Sequence, residues 1–141
     1  MILLIDTCVV LDVLMDRKPF SADAYKIIQM VAARRIGGFI TVKSMMDIHY
    51  VLKKQLNNES KTRKILVDLT EILEVIDSTT YCCLKALDSK ITDYEDAMMS
   101  LTGEVMGADY FVTRNIKDYK HSKLKVLTPK EFINLFEKSN I

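Results

Sequence analysis

Short, mostly apolar runs alternate along the chain with longer stretches in which apolar residues recur every three or four positions. The short runs, which are typical of buried strands, are residues 2–5, 39–42, 73–76, 110–112 and 124–127. The longer stretches have the period of amphipathic helices. Strands separated by helices in this way indicate βαβ units, so we predict an α/β fold with a mostly parallel central sheet of about five strands.

Residue types at the borders of these segments predict where helices begin and end. Asp6, Ser44 and Asp93 precede periodic stretches, and their side chains can accept hydrogen bonds from the first N–H groups of a helix. Gly107 and the pair Gly37–Gly38 follow such stretches and suit helix C-termini. We therefore expect three capped helix starts and two glycine-terminated helix ends at these positions.

The composition is that of an ordinary globular protein, with 49% apolar and 28% charged residues. With 141 residues, no internal repeat and no linker-like segment, the chain is predicted to form a single domain, residues 1–141. Its three cysteines have no zinc-binding spacing and no signal-like segment precedes them, so we expect reduced thiols and a cytoplasmic location. No apolar run approaches the ~18 residues of a membrane span, and we expect no membrane partner.

Two stretches are rich in positive charge, although the net charge of the chain is only +1. Residues 53–64 contain five cations and one acid, and residues 114–130 contain six cations and one acid, Asp118. The net charge does not decide whether a protein binds nucleic acid, because the placement of the charges does. Each stretch suits either a solvated surface or a contact with a nucleic-acid backbone.

Acidic side chains fall close to the ends of the predicted strands. Asp6 directly follows the first run, and Asp118 lies in the polar turn after the fourth. Asp96 lies in the first turn of the helix that leads into the fourth run, and Asp47 lies early in the helix after the second. Because ligands bind beyond the carboxyl ends of parallel strands, we expect these acids to converge at one edge of the sheet.

A cluster of carboxylates suggests a divalent cation. Like charges repel and raise one another's pKa, and a bound cation relieves that repulsion. An all-oxygen set without His or Cys suits Mg²⁺ or Mn²⁺, which activate water and stabilise leaving oxygens in phosphodiester hydrolysis. Each acid also has a plainer explanation as a helix cap, a complement to the helix dipole or a turn residue. Spacing alone leaves both interpretations open.

Three segments of the chain resemble the PIN-domain family. Residues 3–12, Leu-Leu-Ile-Asp-Thr-Cys-Val-Val-Leu-Asp, resemble the start of a PIN domain, and residues 93–97 and 107–119 resemble its closing pattern. The resemblance implies a three-layer α/β/α sandwich and a metal-dependent endoribonuclease that hydrolyses RNA with Mg²⁺ or Mn²⁺. Many such proteins are toxins of bacterial toxin–antitoxin pairs, so it also implies an antitoxin partner and a homodimer. The exposed faces of the helices near 27–30 and 66–69 are candidate dimer contacts.

The resemblance also implies roles for individual residues. It assigns three acids to the metal: Asp6, Asp96 and Asp118. The second acidic position of the family, usually Glu, corresponds to Asp47. Three residues after the fourth strand are expected to orient water or hold the substrate: Thr113, Arg114 and Asn115. The lysines between 117 and 130 would extend that contact along the RNA backbone.

Three positions depart from the family pattern. Cys8 stands where Asn is common, which removes a hydrogen bond that orients the first acid, and Asp47 is one methylene shorter than Glu. Asn115 adds no charge where some relatives carry another acid. These departures keep open a catalytically weak or inactive PIN-like module that binds RNA or protein. A phosphatase would need a second acid two residues after Asp6, and the order of acids suits an aspartate-phosphorylated signalling domain poorly.

Overall fold

A computed structural model describes residues 1–139 of the chain. The strands, in chain order, are β1 (Ile2–Ile5), β2 (Gly37–Thr41), β3 (Glu74–Ile76), β4 (Tyr110–Val112) and β5 (Lys125–Leu127). The helices are α1 (Thr7–Leu14), α2 (Ser21–Ala32), α3 (Val42–Leu56), α4 (Glu59–Thr70), α5 (Thr80–Ala86), α6 (Tyr94–Met106) and α7 (Pro129–Ser139). A 3₁₀ turn, Ile116–Tyr119, lies between β4 and β5.

The strands form one sheet in the order β3-β2-β1-β4-β5, and each neighbouring pair is parallel. At the centre, Leu4 of β1 pairs with Phe39 of β2 on one side and with Phe111 of β4 on the other. The chain leaves β1 toward β2 and β3 and later returns to add β4 and β5 beyond it. The direction of winding therefore reverses between β1 and β4, which is where ligands bind in open α/β sheets. The predicted five-stranded parallel sheet is confirmed.

Helices cover both faces of the sheet. Leu3 and Ile5 of β1 pack into one hydrophobic core with α1, α2, α3, α4 and α7, whereas Leu4 packs into a second core with α5 and α6. Successive side chains of a strand point to opposite faces, so one short apolar strand contributes to both cores. The three-layer α/β/α sandwich implied by the family resemblance is confirmed.

Several predicted helix ends are confirmed. The Asp6 carboxylate accepts a hydrogen bond from the N–H of Thr7 at 2.7 Å at the start of α1. The Asp93 carboxylate accepts one from the N–H of Asp96 at 3.0 Å at the start of α6. Gly107 ends α6 with a φ of 74°, a left-handed conformation that glycine adopts without steric cost.

Two predictions around the second strand are wrong. Gly37 and Gly38 belong to β2 and do not end α2. A Cβ atom on Gly38 would lie 2.7 Å from the Val31 side chain, so glycine permits the close packing of α2 on the sheet. The cap of α3 is Thr41, whose hydroxyl accepts a hydrogen bond from the N–H of Ser44 at 3.0 Å. Ser44 thus lies inside the helix that it was expected to cap.

Part of each helix face that is a candidate for dimer contact is buried in the monomer. Ile27 is completely buried because α2 packs against α1 and α7, and Leu69 is buried because α4 packs against α3. Large exposed apolar side chains remain at Tyr25 of α2 and Val67 of α4, and more of them lie on α3 and around α5: Val42, Met46, Tyr50, Tyr81, Leu84 and Leu87. Within residues 1–139, every helix is too short or too polar to cross a membrane.

Candidate active site

The carboxylate of Asp6 lies directly beyond β1, beside the end of β4. One of its oxygens accepts the N–H of Thr7 at 2.7 Å, and the other accepts the hydroxyl of the fully buried Thr113 at 2.7 Å. Burial raises the pKa of Asp6 above its usual value, the hydrogen bonds from Thr113 and Thr7 oppose that rise, and the charge of Asp118 adds to it. Asp6 is therefore a positioned carboxylate with an incompletely compensated charge.

Cys8 adds a weak donor to the same carboxylate. Its thiol lies 3.6 Å from the Asp6 oxygen that Thr113 also contacts, and 3.8 Å from the Thr113 hydroxyl. Burial, followed by the neighbouring charge of Asp6, raises the pKa of Cys8 to about 11, so the thiol is neutral at physiological pH. The thiol of Cys8 thus makes a weaker contact with Asp6 in place of the hydrogen bond that Asn would donate at this position.

Asp96 is held from the opposite side by Tyr119. The Tyr119 hydroxyl donates to the Asp96 carboxylate at 3.0 Å, and its buried ring packs edge-on against Phe111 of β4, with 4.6 Å between ring centroids. Burial raises the pKa of Asp96, the hydrogen bond from Tyr119 lowers it, and the charges of nearby acids, including Asp118 and Asp6, raise it further. The charge of Asp6 therefore acts on Asp96 across the end of the sheet.

Asp118 completes the group of acids. It lies exposed in the 3₁₀ turn after β4, and its charge raises the pKa of both Asp6 and Asp96. Three of the four predicted acids therefore share one edge of the sheet. In the arrangement described for residues 1–139, however, no three Asp, Glu, His or Cys side chains are close enough together to hold an ion. The donor chemistry fits Mg²⁺ or Mn²⁺, but joint coordination requires the side chains to move closer together.

Asp47 lies apart from this group. Its carboxylate accepts a hydrogen bond from Lys43 at 2.6 Å, and the same ammonium group lies 3.5 Å from Glu95 of α6. The charges that chiefly raise the pKa of Asp6 and Asp96 do not include that of Asp47. The assignment of Asp47 to the second acidic position stays a prediction.

Ser44 contacts the site in a way that the sequence analysis missed. Its buried hydroxyl accepts a hydrogen bond from the Thr7 hydroxyl at 2.8 Å and lies 3.2 Å from that of Thr41. Thr7 directly follows Asp6, so this hydroxyl network connects the end of β2 to the end of β1. The same argument about the carboxyl ends of neighbouring strands would have found Ser44, had it not been interpreted as a helix cap.

Arg114 is engaged with a buried acid that the sequence analysis also missed. Its Nε and Nη2 atoms lie 2.7 and 3.1 Å from the two carboxylate oxygens of Asp12, which is completely buried. The guanidinium also stacks over the Phe20 ring, 4.1 Å from its centroid. These contacts anchor the loop in which the N–H of Asn115 donates to the Thr113 hydroxyl at 3.0 Å. Arg114 therefore positions the loop, and contact with substrate by Arg114 or Asn115 stays a prediction.

Comparison with known proteins identifies the family. A sequence model of the PIN domain matches residues 3–117, which is most of the chain. This chain therefore belongs to the PIN-domain family. An uncharacterised protein of Methanocaldococcus jannaschii is 29% identical over 125 residues, which cover 80% of this chain and 79% of that protein.

Solved toxin–antitoxin structures have a similar fold. A chain of the VapBC2 complex from Rickettsia felis, bound to a DNA fragment from its promoter, matches with a TM-score of 0.70 and 18% identity, over 91% of this chain and 98% of that one. A chain of a toxin–antitoxin complex from Klebsiella pneumoniae matches with a TM-score of 0.66 and 20% identity, over 89% and 96%. At these identities the similarity is one of fold.

Proposed function

We propose that this protein is a metal-dependent endoribonuclease and the toxin of a toxin–antitoxin pair. The observation that carries the proposal is the convergence of Asp6, Asp96 and Asp118 at the winding reversal of a PIN-domain sheet. Two of these carboxylates have a raised pKa, which is the electrostatic condition that a bound cation relieves. Their all-oxygen chemistry suits Mg²⁺ or Mn²⁺.

The acids and the side chains around them would have different roles in hydrolysis. Asp6, Asp96 and Asp118 would hold the ion, which when bound supplies Lewis acidity toward water and phosphate. Thr113 fixes one oxygen of Asp6, and Tyr119 fixes one oxygen of Asp96, so both carboxylates have a defined orientation. The exposed Asp118 makes no side-chain hydrogen bond or ion pair within residues 1–139, so it can move toward the other two without breaking one.

An RNA cleavage assay tests this function. Purified protein is incubated with a mixed RNA pool in Mn²⁺, in Mg²⁺ and in EDTA, beside an Asp6→Asn, Asp96→Asn double variant. We expect cleavage in both metals, none in EDTA, and none by the double variant. Its thermal unfolding is measured as a control, because Asn has nearly the shape of Asp and should preserve the fold. Cleavage that survives in the folded double variant would show that these carboxylates are not the active site.

A PIN-like module that binds RNA or protein without cutting is the second candidate. Two observations favour it. Within residues 1–139, no three acidic, His or Cys side chains lie close enough together to hold a metal ion, and Cys8 stands where the family commonly has Asn. Calorimetric titration with Mn²⁺ separates the two candidates. Binding that is lost in the Asp6→Asn, Asp96→Asn variant supports the nuclease, whereas no binding by the native protein supports the module.

We propose that the protein forms a homodimer through the exposed apolar face of α3 and α5. Val42 and Met46 of α3 line a groove of about 460 Å³ with Tyr94 of α6. The Tyr94 hydroxyl donates to the Cys83 carbonyl at 3.0 Å, which holds α5, with its exposed Leu84, beside α6. Large apolar side chains left exposed on neighbouring helices are typical of a protein–protein interface. The antitoxin is proposed only from the toxin–antitoxin complexes with a similar fold.

Light scattering measures the dimer directly. A Leu84→Lys, Leu87→Lys variant should have half the native mass, because two ammonium groups would be buried in the contact. The matched control is Val67→Lys, which places one charge on an apolar position of α4 that is also more than half exposed. A dimer that persists in the first variant, or dissociates in the second, would place the interface elsewhere.

A further inference from the structure

A second cleft lies on the face of the sheet covered by α5 and α6. It encloses about 490 Å³, and its walls come from α5, the loop after it, the side of α6 and the loop before β5. Three lysines line it, one from each of those loops and one from α5: Lys85, Lys90 and Lys123. None of the three contacts the acidic residues of the PIN-domain site, and only Lys123 belongs to the lysines from 117 to 130 that are expected to hold the RNA backbone.

The lysines of this cleft form no ion pair with the described residues. All three are exposed, and within residues 1–139 no carboxylate lies within 4.0 Å of their ammonium groups. Two acids also line the cleft, Asp88 and Glu104, so three lysines against two acids leave a formal charge of +1. Glu104 already accepts the Ser100 hydroxyl and the N–H of Lys123, each at 3.4 Å.

The cleft lies farther along α6 than the acidic site. Asp96, Ser100 and Glu104 lie on one face of that helix, on successive turns that are about 5.4 Å apart. Residues 119–122 cover this face, because Tyr119 donates to Asp96, Ser122 lies 2.6 Å from the Ser100 hydroxyl and Ser100 is buried. An RNA strand that passes Asp96 would therefore cross the outside of this segment and meet the lysines one to two helical turns farther along α6.

We propose that this cleft binds backbone phosphates of the RNA strand that flank the bond cut at the acids. The proposal rests on the proposed nuclease function for the identity of the strand. Unpaired ammonium groups on flexible stems attract phosphates without selecting bases. Among the described residues that line the cleft, His121 carries the one aromatic ring and three residues are lysines, so the proposed contact is chiefly with the backbone.

Binding without cleavage tests the proposal. Anisotropy of a labelled single-stranded RNA is measured in EDTA, in the Asp6→Asn, Asp96→Asn background, over a range of salt. The cleft variant adds three substitutions: Lys85→Gln, Lys90→Gln and Lys123→Gln. The control variant adds three others at exposed lysines that also lack an ion pair within residues 1–139: Lys26→Gln, Lys54→Gln and Lys61→Gln.

The cleft variant should bind RNA about tenfold more weakly, and the slope of log Kd against log salt should fall by about 2, because three phosphate contacts are lost. The control variant should stay within about twofold of its parent, although it removes the same charge. Equal weakening in both variants, or none in the cleft variant, would overturn the proposal. So would displacement of RNA by inorganic phosphate at matched ionic strength, because that indicates a pocket for a single ion.

The two proposals fail separately. If the native protein cuts no RNA but RNA binding still depends on the three lysines, the nuclease proposal fails and the cleft proposal stands. If the native protein cuts RNA but the cleft variant binds RNA like the control variant, the nuclease proposal stands and the cleft proposal fails.

Discussion

The two basic stretches of this chain are similar in sequence and different in structure. In the stretch from 53 to 64, Glu59 forms ion pairs with Lys53 and Arg63 and contacts His49 at 3.0 Å. In the stretch from 114 to 130, no lysine forms an ion pair within the part of the chain that the structure describes. Much of the charge of the first stretch is satisfied internally, while that of the second is available to a partner.

The difference shows that a count of basic residues does not predict where an anion binds. Arg63, followed by His49 and Lys53, lowers the pKa of Glu59 to about 2, so this carboxylate stays charged and keeps its partners. The same distinction applies to single residues: Arg114 belongs to the second stretch by sequence but is paired with Asp12. Four predictions follow from the distinction between paired and available charges, beginning with the largest expected effect.

Arg114→Ala should destabilise the protein by about 3 kcal/mol, because it leaves the carboxylate of Asp12 buried without its ion-pair partner. Arg17 does not replace it, since its nearest contact with Asp12 is 3.9 Å. Lys117→Ala, at an exposed cation of the same stretch, is the control and should change stability by less than about 0.5 kcal/mol. Urea unfolding measures both. Equal stabilities of the two variants would mean that the ion pair contributes nothing to the folded state.

Asp118→Asn should weaken Mn²⁺ binding about tenfold or more. Loss of a carboxylate that binds the metal, or that orients a ligand of the metal, typically lowers metal affinity by at least that factor. Asp47→Asn should change it less than about threefold, since that carboxylate is already paired with Lys43 at 2.6 Å. Calorimetry compares the two variants under the same conditions. A larger loss from Asp47→Asn would show that Asp47 leaves Lys43 for the metal, as the family resemblance implies.

Much of the sheet and three of the acids could be predicted because local sequence determines them. The apolar run Ile2–Ile5 can be recognised alone, and the carboxyl-end rule then places Asp6. The missed contacts join residues that are distant in sequence: Arg114 and Asp12 are 102 positions apart, and Thr7 and Ser44 are 37 apart. No period or spacing encodes such pairs, because they depend on how the strands are ordered in the sheet.

The burial of the apolar face of α2 could not be predicted for a related reason. Residues 27–30 form an apolar helix face, and periodicity identifies such a face without saying what covers it. Here α7, which is last in the chain, packs against α2 and helps to bury Ile27. The exposed apolar side chains of α3 and α5 could be distinguished from core residues only after the layers of the fold were known.

The pH dependence of stability should reveal the uncompensated charge of Asp6 and Asp96. Their pKa values are raised in the folded state, first by burial, so they stabilise the fold when protonated. That contribution is complete below the unfolded pKa of about 4 and is lost as the pH rises through the raised folded values. In EDTA, the Tm of the native protein should fall relative to that of the Asp6→Asn, Asp96→Asn variant as the pH rises from 4 to 7. Parallel curves would mean that the two charges are already compensated.

Glu59→Gln should make the first basic stretch resemble the second. Removal of one carboxylate releases Lys53 and Arg63 from their ion pairs, so labelled RNA should bind about twofold more tightly at low salt and the gain should vanish at high salt. Asp68→Asn is the matched control, because it frees only Lys64. Stability should change little, since surface ion pairs contribute weakly. If Glu59→Gln leaves RNA binding unchanged at every salt concentration, internal pairing is not what distinguishes the two stretches, and their position relative to the acids is the better explanation.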